Sequence, residues 1–127
     1  MGFGKKAFTF MELMVVVTIV GIVAGFAIPN YTRSVERAYR KDGENNLLMI
    51  GAAQRIYAAR NNGQYLAAPD VNAINSGLGL AIIPNEMTYL CTSVSCSAVR
   101  HVNYWFLLYS YPTNGTIVCN PMWKSCP

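Results

Sequence analysis

Hydrophobic and polar positions fall into three regimes along this chain. From Leu13 to Ile28 there are 16 residues whose only polar side chain is Thr18, and counted from Phe8 the apolar stretch is 21 residues. At ~1.5 Å per residue, a helix of that length measures about 31 Å, close to the hydrocarbon thickness of a bilayer. Apolar side chains occupy every side of it, which rules out a surface amphipathic helix. After Pro29 the pattern turns polar. Arg33, Glu36 and Arg37, then Arg40 and Glu44, recur at the three- and four-residue steps of a solvated helix face, with Gly43 weakening the middle. Met49, Ile50, Ala53, Ile56, Tyr57 and Arg60 continue at those steps as an apolar stripe, and Asn61-Asn62-Gly63 is a good C-terminal stop. An unbroken helix from Phe8 to Arg60 would hold 53 residues and span ~80 Å.

The third regime is β-like. Gln64 to Asn85 contains Pro69, Gly77, Gly79 and Pro84 and predicts an irregular connection with at most a short helical turn. Three strands are predicted beyond it, at Met87–Cys91, Val102–Tyr111 and Thr116–Cys119. Pro112-Thr113-Asn114-Gly115 joins the last two as a hairpin turn, because Asn-Gly accepts positive φ. The economical arrangement is an α+β fold: a long N-terminal helix, apolar in its first half, with a small antiparallel sheet at about residues 87–119 laid on its second half.

Composition narrows the function. Of the formal +4 charge, Lys5 and Lys6 stand ahead of the apolar run, and without them eight basic side chains face six acidic ones. That balance does not point to nucleic-acid binding, where basic residues gather on one face. The two lysines place the N-terminus on the cytoplasmic side and the rest of the chain outside. Cys91, Cys96, Cys119 and Cys126 all fall in the last 37 residues. An even number in a small exported region favours disulfides over zinc, for which only Cys91 and Cys96 have a usual spacing. Three connectivities are open; the local pairs Cys91–Cys96 and Cys119–Cys126 are preferred.

One residue resists these readings. Glu12 puts a carboxylate at the start of the apolar run, where a charge in hydrocarbon costs a few kcal/mol or more. A cleaved secretory signal has a shorter apolar core, and a plain single-span anchor gives Glu12 no purpose.

The stretch Phe8-Thr9-Phe10-Met11-Glu12-Leu13, with Gly21 and Ile28-Pro29-Asn30-Tyr31 further on, resembles the start of a class III (prepilin) signal, the hallmark of type IV pilins and their relatives. The resemblance covers about Lys5 to Tyr31. Members usually have Gly before the cut, where this chain has Ala7. The resemblance implies a leader of residues 1–7, cleavage between Ala7 and Phe8 by a prepilin peptidase, and N-methylation of Phe8 by the same enzyme. It implies a membrane and filament-core helix over residues 8–30 and a globular region over 31–127. In such filaments the carboxylate of Glu12 pairs with the N-terminal amine of a neighbouring subunit, so that each ion offsets the other's desolvation. Gly21, Gly25 and Pro29 mark where the helix kinks or melts in related filaments. The implied function is a structural subunit of a type IV pilus or similar filament, for adhesion, motility or DNA uptake. Its partners would be other copies of itself, the peptidase, an assembly ATPase and a membrane platform. The precursor would sit in the inner membrane, and the filament would be periplasmic or extracellular.

His101, the lone histidine, has no carboxylate near it in sequence, and no G-x-S-x-G, phosphate loop or H-E-x-x-H appears. No catalytic residue, cofactor or metal site is expected. Asp70 with Asn72 and Asn75 is read as a capped turn in preference to a cation site. The cluster Ser93, Ser95 and Ser97 is read as loop. Three alternatives remain in view: a minor pilin or type II secretion pseudopilin, a membrane-anchored extracytoplasmic binding module, and a surface or DNA contact through Arg100, Lys124 and the C-terminal aromatics.

Overall fold

A computed structural model describes residues 8–102, 105–111, 115–121 and 126–127. The chain divides into two compact units, Met1–Glu36 and Arg37–Pro127. Helix α1 (Phe10–Arg60) contributes to both.

In the first unit α1 runs without interruption through Gly21, Gly25 and Pro29. Proline has no N–H, so the i to i−4 bond it would make is missing. Side chains bond backbone carbonyls around that gap: Asn30 Nδ2 to Phe26 O at 3.4 Å, Thr32 Oγ1 to Pro29 O and Ser34 Oγ to Asn30 O at 3.0 Å each. Residues 8–34 are all exposed.

The second unit holds the rest of α1, helix α2 (Val71–Leu78), and strands β1 (Thr88–Cys91), β2 (Ser95–Arg100), β3 (Trp105–Ser110) and β4 (Ile117–Pro121). The strands form an antiparallel meander in the order β1-β2-β3-β4. Tyr89, Cys91, Cys96, Ala98, Trp105, Leu107 and Tyr109 alternate with half-buried or exposed residues and share one core with Leu47 and Ile50 of α1 and Ile74 of α2. Wholly burying side chains such as Leu47 and Ile50 contributes ~1.5–3 kcal/mol each.

Four expectations change here. The sheet has four strands, since β2 occupies part of the segment read as a serine loop. Its inward positions are Cys96, Ala98 and Arg100, residues that a search for alternating large apolar side chains passes over. The connection before the sheet contains α2, two full turns of helix. Asp70 caps it by accepting from Ala73 N at 2.8 Å, and Gly79 closes it in the left-handed conformation at φ 67°.

The buried stripe of α1 also has another phase: Gly43, Leu47, Ile50, Gly51, Gln54 and Ala58 face inward, whereas Met49 and Ile56 are exposed. Glycine lets the helix approach the sheet closely, and a Cβ on Gly51 would lie 2.5 Å from Cζ of Tyr109. Finally, Arg100 is buried, so it offers no surface contact. Its guanidinium lies 3.9 Å over the Tyr39 ring, with Nη1 3.0 Å from Glu86 Oε2 and 3.1 Å from Glu86 O. The hairpin residues Pro112, Thr113 and Asn114, together with Lys124, lie outside the described residues; Gly115 beside them has φ 74°.

Candidate functional site: the N-terminal segment of α1

Phe8 and Thr9 precede the helix, which begins at Phe10. Thr9 is its cap. The Thr9 hydroxyl accepts from the Glu12 N–H at 3.2 Å, and the Thr9 carbonyl accepts the first helical bond from Leu13 N, also at 3.2 Å. Glu12 therefore stands at the third helical position, the acidic place of the Thr-x-x-Glu capping box. A carboxylate there also faces the positive end of the helix dipole. The sequence reading missed this local role of Glu12, although the spacing Thr9-x-x-Glu12 carried the signal.

The surface around this carboxylate is apolar. Phe8, Phe10, Met11, Leu13, Met14 and Val15 are each at least half exposed, and α1 contains a stretch long and apolar enough to cross a membrane. Among the described residues Glu12 has no ion-pair partner. Ala7 lies outside the described residues. A Cβ on Gly21 or Gly25 would meet nothing within 4 Å, so neither glycine is required by packing within this chain.

At the other end of the chain, disulfides join Cys91 to Cys96 and Cys119 to Cys126. The first closes the β1–β2 hairpin across directly paired residues and is buried. Around it the Tyr111 hydroxyl contacts Cys96 Sγ, and the Tyr111 ring stacks on Tyr65 at 4.2 Å. Burial, then the neighbouring Tyr109 and Tyr65, push the Tyr111 hydroxyl well above the usual tyrosine range. The half-buried second bond fixes the chain's end, whose Pro127 carbonyl accepts from Arg40 Nη1 at 2.8 Å. Arg40 Nε and Lys41 Nζ each lie 2.9 Å from the Glu44 carboxylate. Burial raises the pKa of Glu44, but the hydrogen bonds from Lys41 and Arg40 outweigh it and hold the carboxyl below its ordinary value. His101 is exposed and contacts Thr88 Oγ1 at 3.2 Å.

Residues 3–28 match the family model of the prokaryotic N-terminal methylation motif. A fimbrial protein of Moraxella nonliquefaciens is 31% identical over 105 residues, covering 78% of this chain and 67% of that protein. The chain belongs to the type IV pilin family. A type IV major fimbrial protein FimA of Dichelobacter nodosus is 49% identical over 75 residues, 59% of this chain and 45% of the relative. The type II secretion system core protein G of Pectobacterium carotovorum is 31% identical over 61 residues, 48% of this chain and 39% of the relative. Against both of these the pilin chain spans less than half of the relative's length. No solved structure matches it. The long helix followed by an antiparallel sheet is the pilin α+β arrangement, and the methylation motif lies over the capped, apolar start of α1.

Proposed function

We propose that this pilin is the structural subunit of a type IV pilus or pilus-like filament, cut before Phe8, methylated there, and polymerised through α1. The observation that carries the reading is the exposure of the apolar run from Phe8 to Ile28, whose large side chains are each about half exposed or more. Lipid covers such a surface in a membrane precursor, and packed helices of neighbouring subunits cover it in a filament. Glu12 sets the register. Cleavage gives Phe8 an α-amine, and a neighbour's Glu12 supplies the opposite charge. Docking at another axial level leaves both ions unpaired in an apolar medium, at a cost of several kcal/mol. The subunit depends on a peptidase for the cut and on a separate ATPase and membrane platform for extraction.

The test is the intact mass and N-terminal peptide of the protein from its native cells, in sheared-surface and membrane fractions. A chain starting at N-methylated Phe8 in the sheared fraction supports the proposal. A chain retaining Met1 to Ala7 and found only in membranes defeats it in favour of an anchored module. The likeness to the secretion core protein favours a second reading, a pseudopilin. In that case the processed chain is scarce in sheared material and its deletion blocks protein export.

A further inference from the structure

We infer that Thr9 is a positioning residue for processing: its hydroxyl stops α1 so that Phe8 stays outside the helix, where a peptidase can engage the bond before it. The inference rests on the cleavage proposed above. Its structural basis is the cap itself, with the Thr9 hydroxyl on Glu12 N and the helix starting at Phe10. The methylation-motif match, which runs from residue 3 across the cut to residue 28, is independent of that geometry.

The physical need is specific to this place. A helix leaves its first N–H groups without intrahelical partners, and in hydrocarbon each one is expensive to leave bare. The cheap remedy is to extend the helix by another turn towards water. Lys5, Lys6, Ala7 and Phe8 offer no resistance, since lysine and alanine are among the good helix formers and neither glycine nor proline interrupts them. Such an extension would carry the cleavage site into the helix. There each carbonyl is held by an N–H four residues on, and a peptidase loses access to the backbone groups it must bind. The Thr9 hydroxyl satisfies the Glu12 N–H locally and so lowers the drive to extend. Stopping the helix two residues after the cut thus keeps Phe8 free for hydrolysis and afterwards for methylation of its amine.

The experiment follows cleavage of the full-length precursor in membranes containing the peptidase, by mass, for wild type, Thr9→Val, Thr9→Ser and Thr9→Asn. Valine keeps the shape and removes the acceptor, whereas serine and asparagine are competent caps. The Cα chemical shift of Phe8 in micelles reports whether that residue has become helical. Thr9→Val should be cut about fivefold more slowly, the factor set by a cap of ordinary strength, with a helical shift at Phe8. Thr9→Ser and Thr9→Asn should stay near the wild-type rate. Equal rates for Thr9→Val and wild type overturn the inference. So does slow cleavage of Thr9→Val with Phe8 still non-helical, which would mean direct recognition of the hydroxyl by the enzyme. A wild-type chain left uncut before Phe8 overturns the processing proposal and this inference with it. A wild-type chain cut normally, with Thr9→Val cut equally fast, overturns this inference alone.

Discussion

The carboxamide of Gln54 bonds both backbone groups of Leu66: Nε2 donates to the carbonyl and Oε1 accepts from the amide, each at 2.8 Å. Gln54 is buried on the sheet-facing side of α1, so the pair fastens the segment leading to α2 onto the long helix. Replacing Gln54 by Leu keeps the volume and leaves two backbone groups of Leu66 without partners. Each unsatisfied buried group costs ~1–3 kcal/mol. Urea unfolding of the full chain in detergent should therefore show a loss of ~2 kcal/mol or more. A change within experimental error would mean that water replaces the side chain there.

Gly51 tests how closely α1 sits on the sheet. In a free helix Gly→Ala stabilises by ~1 kcal/mol. At Gly51 the new methyl would lie 2.5 to 2.8 Å from Cζ, Cε1 and the hydroxyl of Tyr109, whose hydroxyl is also held by Arg55 Nη2 at 3.2 Å. Overpacking of that kind costs ~1–3 kcal/mol. Gly51→Ala is expected to lower the melting temperature, while Gly21→Ala, with open space around it, raises or preserves helix stability. Equal gains at both positions would show that α1 stands further from the sheet.

The two disulfides should differ in accessibility. Cys91 and Cys96 are buried, with Tyr111 against Cys96, whereas Cys119 and Cys126 are only half-buried. Mild thiol treatment of the folded protein should reduce Cys119–Cys126 first, read by alkylation and peptide mass. Loops this short give each bond ~2 kcal/mol on the chain-entropy estimate. The pair Cys91→Ser and Cys96→Ser adds a burial penalty for two hydroxyls and should cost more than the pair at 119 and 126. Simultaneous reduction of both bonds would contradict the difference in burial.

Stability should fall at both ends of the pH range for separate reasons. Glu44 has a depressed carboxyl, so its contribution is complete above the ordinary value of 4.5 and is lost as pH falls through the lower folded value. Tyr89 and Tyr111 are raised, chiefly by burial, so their contributions are complete below 10.0 and are lost as pH climbs past it. Glu44→Gln should flatten the acid limb of a stability–pH curve and leave the alkaline limb unchanged. Tyr111→Phe should do the reverse.

Much of the fold was legible because it follows simple periodicities. The apolar run, the Asn-Gly stop after Arg60 and the apolar, aromatic-rich run that becomes β3 each carry a strong local signal. What escaped has one physical origin. Where helix and sheet approach closely, the facing residues are small or polar: Gly43, Gly51 and Gln54 on α1, and Cys96, Ala98 and Arg100 on β2. A search for large apolar side chains shifts the helix stripe onto Met49 and Ile56 and misses β2 altogether. The cap at Thr9 has no periodic signature either: it rests on a single Thr-x-x-Glu spacing at the edge of the apolar run. The burial of Arg100 depends on Tyr39 and Glu86, both remote from it in the chain, and no local pattern announces it.

Glu12 has a local place in the helix cap and a proposed one in the filament, and substitution can separate them. In one chain its backbone N–H is capped by Thr9 and its carboxylate sits at the positive end of α1. In a filament the carboxylate is proposed to meet a neighbour's α-amine. Glu12→Gln keeps the backbone cap and a hydrogen-bonding side chain but removes the charge, whereas Glu12→Ala removes the side-chain contribution as well. Loss of a first-turn anion costs the monomer helix only ~0.3–1 kcal/mol, so both variants should reach the membrane and be cut. An unpaired amine buried in the filament costs several kcal/mol, so both should enter sheared filaments at least tenfold less than wild type. Filament yield for Glu12→Gln equal to wild type would show that the charge is not what sets subunit register, leaving Glu12 a helix-cap residue alone. Failure of both variants at the cleavage step would instead move its role to recognition by the peptidase.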